Sequence, residues 1–202
     1  MEKKDTTEQK ILEAAHDTFL VKGMDGARMQ EIADGAGINK ALLHYYFRSK
    51  QKLFEAVFAH ILKHAFPNII EIFNSQKSVE EKMNDFVDKY MEILLKNPYL
   101  PNFLLKEVSR DPDMIAGVFI KTGLDPKVLL DGIKREFDAE GIEIGDVRHF
   151  VVNLIAMMVF PFAARPLIQR VIFENDKRAY SEFLKERGTE VKKLLQTLIL
   201  KK

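Results

Sequence analysis

Apolar residues recur along this chain at helical spacing, and no stretch alternates apolar and polar residues at period two with β-branched enrichment. The pattern predicts an all-α protein of about nine helices and no sheet. Near the N-terminus, Ile11, Leu12, Ala15, Phe19 and Leu20 share one face. Thr6 and Gln9 have capping-box spacing in front of them, and Gly23 is placed to stop that helix. Met29, Ile32, Ala33 and Ala36 predict a short second helix. Gly37 then supplies a tight turn, Asn39 caps a third short helix over Lys40 to Phe47, and another follows Ser49. Further on, Ser78 and Glu81 form a second capping box, opening a helix through Asn97. Asn97-Pro98, Asp111-Pro112 and Asp125-Pro126 each predict a helix start, since proline is tolerated at the first helical position. Asp146 opens a long apolar helix that Pro161 and Pro166 kink or end. Asn175 or Asp176 opens the last one, with a stripe of Val191, Leu194, Leu195, Leu198 and Ile199.

Composition narrows the possibilities. With 202 residues, 47% of them hydrophobic, the chain can bury a sizeable core, and it has no cysteine for disulfides or thiolate metal sites. The first ten residues hold no apolar stretch, so no signal peptide is expected. The longest apolar run, Phe150 to Ala164, is broken by Asn153 and Pro161. It falls short of the roughly 20 residues needed to span a bilayer and reads as a buried helix. The expectation is a cytoplasmic protein with no membrane partner. No Ser-His-Asp set, glycine-rich phosphate loop or paired-carboxylate spacing stands out. His60 and His64 are four apart, but without an HExxH glutamate. Neither an enzyme, a cofactor nor a metal is expected.

Charge is informative only locally. The net charge is +1, and residues 1–52 are nearly neutral, yet Ala36 to Lys52 carries Lys40, Arg48, Lys50 and Lys52 and no acid. Such a patch could neutralise several phosphates, or be an ordinary solvated surface. The helical pattern around it favours the first reading. Two short helices join through a glycine turn. On the second, Leu43 and Phe47 face one way, and Lys40, Ala41, His44 and Tyr45 face the other. That is the form of a helix-turn-helix reader. Small Ala33 allows the two helices to approach closely.

The run from Gln30 to Leu53, QEIADGAGINKALLHYYFRSKQKL, resembles the TetR-family DNA-binding signature, and Phe19 to Gly23 matches the family's first helix and its glycine stop. The resemblance covers roughly residues 6–58. It implies a DNA-binding domain over 1–52 and a helical ligand-binding and dimerisation domain over 53–202. It also implies a double-stranded DNA operator, a small-molecule effector and a homodimer as partners, usually in a repressor. The chain departs from the family pattern where Ser or Thr is common: Ala27 cannot cap, and Arg28 offers a charged phosphate contact instead. His44 and Tyr46 likewise stand where the family often has Tyr and His, so base preference does not transfer.

On these grounds Lys40 and His44 are candidates for base edges, and Ala41 for close approach or a thymine methyl. Arg28, Gln30, Tyr45, Tyr46 and Lys50 are candidates for phosphate, with core packing an open alternative for both tyrosines. Asn39 completes the set through its cap. In the body, the candidate ligand-lining residues are Phe66, Phe86, Tyr90, Phe103, Leu104, Asn153, Met157 and Met158, a mostly apolar group with few polar members. Asn153 interrupts an apolar run, and its amide calls for a ligand, a facing subunit or backbone as partner. The competing reading is a helical small-molecule-binding protein or enzyme that keeps the fold without binding an operator.

Overall fold

The computed structural model describes residues 2–98, 100–121 and 125–199; the side chains of 2–5, 62, 64–68, 103, 114, 118, 119 and 121 lie outside the description. Among these residues the backbone forms eleven helices and no strand. They are α1 Glu2–Gly26, α2 Met29–Gly35, α3 Lys40–Tyr46, α4 Lys50–Asn74, α5 Val79–Lys96, α6 Leu100–Arg110, α7 Pro112–Lys121, α8 Pro126–Ala139, α9 Val147–Ala163, α10 Arg165–Val171 and α11 Lys177–Ile199.

Short polar side chains set most of the helix starts. The Ser78 capping box is present in both directions, with the Ser78 N–H donating to Glu81 Oε2 at 2.9 Å and the Glu81 N–H to Ser78 Oγ at 3.3 Å. Asp125 accepts from Lys127 N–H, Asp146 from Arg148 N–H and Asp176 from Arg178 N–H, each at 2.8 Å. Each cap satisfies a donor that the first turn would leave orphaned.

Three sequence expectations change. Thr6 is not a cap: α1 already runs from Glu2. Asn97 closes α5 instead of opening a helix at Pro98. Its amide donates back to Ile93 O at 3.0 Å, and α6 begins at Leu100. The number of helices exceeds nine partly because Pro166 starts a separate helix. α10 carries it in its first turn, follows Ala164 without a side-chain cap, and is bent 70° from α9.

The chain divides into two compact units, Met1–His64 with Phe103–Leu124 and Ala65–Asn102 with Asp125–Lys202. The division expected after Lys52 falls inside the first unit. Leu53, Phe54, Val57 and Phe58 of α4 are buried, and the Phe54 ring meets Phe19 edge-on at 5.3 Å. Ile11, Ala15, Ile32, Ala33 and Leu43 complete that core.

In the second unit α5, α8, α9 and α11 pack around Met83, Phe86, Val87, Phe137, Leu154, Met158 and Leu195. α5 and α11 approach closely at Gly188, where an added Cβ would sit 3.4 Å from Met91. Pro161 lies inside α9 and has no N–H for the Met157 carbonyl one turn back. Arg187 of α11 supplies the missing donor, its Nε reaching that carbonyl at 2.9 Å. The Tyr180 hydroxyl donates to the Pro161 carbonyl at 2.7 Å. Lys82, 5% exposed, satisfies its ammonium with Glu136 at 2.8 Å and the Phe73 carbonyl at 3.0 Å. No single helix among the described residues is long and apolar enough to cross a membrane.

Candidate nucleic-acid interface

Three polar features fix the reading head of the first unit. Gly37 takes φ 67, a left-handed conformation that costs a side-chain-bearing residue far more than glycine. The Ile38 N–H then closes onto Ala33 O at 3.0 Å, ending α2. Asn39 caps α3, accepting from the Leu42 N–H at 2.8 Å. Ala33 is fully buried and Leu43 anchors α3 to the core. The turn, the cap and the small residue thus stand as the sequence pattern predicted.

The start of α2 is a compromise. Arg28 occupies the N-cap position with no side-chain cap bond. Glu31, at the third helical position, supplies half of a capping box. The Lys22 ammonium, bonded to it at 2.9 Å, and the Arg28 backbone N–H hold its carboxyl below the usual range. The buried methyl of Ala27 offers no hydroxyl here, and Glu31 takes only the Arg28 N–H, so α2 begins without a side-chain cap.

The outward side of α3 presents Lys40, Ala41, His44 and Tyr45, all exposed, with Tyr45 at 73%. Tyr46 is half-buried, its ring between Tyr45 at 5.7 Å and Phe47 at 6.5 Å, so it belongs partly to the small core. Arg28 and Gln30 are exposed, and the Gln30 amide donates to Asp34 at 2.7 Å.

The basic segment is less available than its composition suggests. Lys52 pairs with Glu55 at 3.0 Å. Lys50 donates to the carbonyls of Asp25 at 3.2 Å and Ala27 at 3.1 Å, leaving one of its three N–H donors. Lys40 and Arg48 are exposed and enter no ion pair among the described residues. The surface therefore offers a base-reading chemistry, with donors on Lys40 and His44 beside a small Ala41, and a modest phosphate grip around it.

The comparisons with known proteins fall on the same residues. The family model "Bacterial regulatory proteins, tetR family" matches residues 11–57, from the first core residue of α1 through the glycine turn, α3 and the buried start of α4. The chain is 25% identical over 183 residues to the "Probable HTH-type transcriptional regulator YttP" of Bacillus subtilis (strain 168), covering 87% of this chain and 86% of that protein. Residues 11–57 carry a DNA-binding domain of the tetR type, and along most of its length the chain is similar to TetR-family transcriptional regulators. The family model and these relatives support a DNA-binding regulator.

The regulator's likeness to the HTH-type transcriptional regulator RutR of Escherichia coli (strain K12) is higher but local, 50% over 52 residues, or 26% of this chain and 24% of that protein. Its fold is similar along most of the chain to a solved structure of the transcriptional regulator FadR from Bacillus subtilis in complex with stearoyl-CoA. The TM-score is 0.63 and the identity 19%, over 91% of this chain and 96% of that one. The fold is shared at low sequence identity.

In the regulator's second unit, Phe86 and Met158 are buried in the core, and Tyr90 and Met157 are half-buried against it. The Phe86 and Tyr90 rings lie 5.5 Å apart, and burial pushes the Tyr90 phenol up to about 12. Leu104 is half-buried in the first unit. The side chains of Phe66 and Phe103 lie outside the described residues, as does that of His64.

Asn153 does not lie in the core. It is exposed on α9, beside exposed Val152 and Ala156, and is not enclosed among the apolar residues of its own chain. The C-terminal stripe also splits. Val191, Leu195 and Ile199 are buried, while Leu194 and Leu198 are 49% and 52% exposed. An open groove of about 500 Å³ runs between Glu71 and Glu92, mostly charged, and includes none of the residues expected to line a ligand site.

Two buried charges escaped the sequence reading. Glu107 is 0% exposed in the first unit, and Lys82 is nearly so in the second. The signal was available: Leu100, Leu104 and Glu107 share one helical face, as do Val79, Lys82, Met83 and Phe86. A charge set among apolar residues at helical spacing needs a built-in partner.

Proposed function

We propose that this regulator acts as a homodimeric repressor on a palindromic operator, released by a small, largely apolar effector. Residues 1–52 do the DNA reading and 53–202 the sensing and pairing. The observation that carries the reading is the outward face of α3, where Lys40, Ala41, His44 and Tyr45 stand exposed on a helix capped by Asn39. Lys40 and His44 read base edges. Arg28, Gln30, Tyr45, Tyr46 and the remaining donor of Lys50 position the head on phosphate. Two such heads enter successive major grooves, about 34–36 Å apart.

A second copy has an apolar face to meet. Val152 and Phe160 of α9, Leu167 and Val171 of α10, and Leu194 and Leu198 of α11 are all exposed on the isolated chain. Exposed apolar residues gathered on consecutive elements mark an association surface. Asn153 lies on the same outer side and becomes a contact to the facing subunit, a role left open by its sequence context. The effector is assigned to the aromatic and methionine-rich part of the body, around Phe86, Tyr90, Met157 and Met158. FadR, with the same fold, was solved with stearoyl-CoA, a ligand bearing a long apolar chain. The effector must bind the DNA-free state better than the bound one to act at all. A cytoplasmic location follows from this role.

Selection of bound DNA from a random pool, followed by gel shift and sedimentation of the complex, tests the proposal. The expected result is an inverted repeat bound by two chains, with affinity falling steeply as salt rises. Enrichment of no sequence, or of a single half-site bound by one chain, overturns it.

A further inference from the structure

The segment between α1 and the reading head is held by polar groups from three directions. α1 breaks at Gly23, whose φ 68 and ψ 175 take the backbone out of the helix. The Met24 N–H thereby loses its partner one turn back, in a position where Met24 is buried away from water. Glu107, on α6, replaces that partner: its Oε1 accepts the Met24 N–H at 3.3 Å, across 83 residues of sequence. Its Oε2 accepts from Arg110 Nε at 2.8 Å, and the Arg110 guanidinium reaches back to Met24 Sδ. The same segment's carbonyls, Asp25 O and Ala27 O, are taken by Lys50 at the start of α4. The Lys22–Glu31 pair bridges the segment from α1 to α2 at 2.9 Å. Beyond the break, the Ala27 N–H returns to Gly23 O at 3.3 Å, so Met24 to Ala27 forms one turn that leads into α2.

We propose that Glu107 is a positioning residue for DNA reading: its buried carboxylate caps the broken end of α1 at Met24 and so sets the angle at which α2 and α3 leave α1. A fully buried carboxylate is an expensive way to hold one N–H. An apolar residue on this face of α6 would fill the space and leave the turn free to pivot about Gly23. An acceptor oxygen held there at the reach of a glutamate side chain fixes a direction. Base contacts depend on that direction to a fraction of an ångström, whereas phosphate contacts by long basic side chains tolerate a shift. The inference rests on α3 being the base-reading helix.

Two conservative variants of the full chain separate the possibilities. Glu107→Asp keeps the charge and the Arg110 partner but withdraws the oxygen from Met24 by about the length of one methylene. Glu107→Gln keeps the reach and the acceptor but loses the charge. Binding is measured by fluorescence anisotropy on the selected operator and on a scrambled duplex, at a temperature where circular dichroism shows each variant fully folded. Hydrogen exchange is followed at the Met24 amide.

Glu107→Asp is expected to weaken operator binding about tenfold, to leave scrambled-DNA binding within about twofold, and to speed exchange at Met24. Glu107→Gln is expected to stay near wild type in all three. Equal operator affinity for wild type and Glu107→Asp, or a parallel loss on both duplexes, overturns the proposal. So does a Glu107→Gln defect larger than that of Glu107→Asp, which would assign the residue to charge pairing alone. If wild type itself shows no preference for any duplex, the base-reading assignment fails first and this proposal falls with it. Discrimination by wild type and Glu107→Asp alike removes the Glu107 role only.

Discussion

Replacing Gly37 by alanine isolates the backbone cost of the turn that builds the reading head. Gly37 sits at φ 67, and a Cβ placed on it meets no heavy atom within 4 Å. No steric clash contributes, so the penalty is the left-handed conformation itself, about 1–2 kcal/mol for an L residue. The smaller conformational freedom of an unfolded alanine chain offsets part of this by a few tenths of a kcal/mol to about 1 kcal/mol. A net loss near 1 kcal/mol corresponds to about 2–4 °C in Tm for a chain of this size. Asparagine tolerates the left-handed region better, so Gly37→Asn should lose about half as much. Thermal and urea unfolding followed by circular dichroism measure both, and hydrogen exchange at α3 amides reports where the loss falls. Wild-type stability for Gly37→Ala, or a larger loss for asparagine than for alanine, would refute the assignment of this glycine to backbone conformation.

Other consequences follow from single contacts. Arg187→Met leaves the Met157 carbonyl without a donor and should cost about 1–3 kcal/mol in urea unfolding. Adding Pro161→Ala restores a helical N–H and should recover part of that loss in a double-mutant cycle; no recovery would show that Arg187 stabilises by packing instead. The Tyr90 phenol should ionise at about 12, well above an ordinary tyrosine, because burial disfavours its charged form. Its folded-state pKa is raised, so its contribution to stability is complete below about pH 10 and is lost as pH climbs from there toward 12. An alkaline absorbance titration should lose its latest component in Tyr90→Phe, and an unchanged titration would contradict the burial. Leu194→Glu with Leu198→Glu should yield monomers in sedimentation while helicity is retained, since both side chains point away from the chain's own core. Persistence of the wild-type mass would remove α11 from the interface.

The reading head was legible because its features are local. A positive-φ glycine, an asparagine three residues before the amide it caps, and a leucine one turn from a phenylalanine each act within a few residues. The caps at Ser78, Asp125, Asp146 and Asp176 were legible for the same reason. What the pattern could not supply depends on long-range placement. Asn153 looked buried because its neighbours are apolar, yet α9 is apolar nearly all round, so periodicity does not say which side meets solvent. Leu194 and Leu198 belong to the same stripe as Val191 and Leu195 but turn outward, since α11 packs on α5 and α9 along a narrower line. α10 was missed because it has no polar cap, only a proline that also suits a loop. The basic segment promised four cations, and the fold spends two of them on Glu55 and on backbone carbonyls.

The role of α3 is open to one direct measurement. Lys40→Ala removes an exposed side chain that makes no ion pair among the described residues, so folding should be untouched. On the operator selected by the wild-type chain, binding should weaken by about 1–3 kcal/mol, or roughly 5–150-fold, with preference relaxed at one base position in each half-site. Binding to scrambled DNA should fall only slightly. An unchanged operator affinity and an unchanged base preference in Lys40→Ala would contradict base reading by this face of α3.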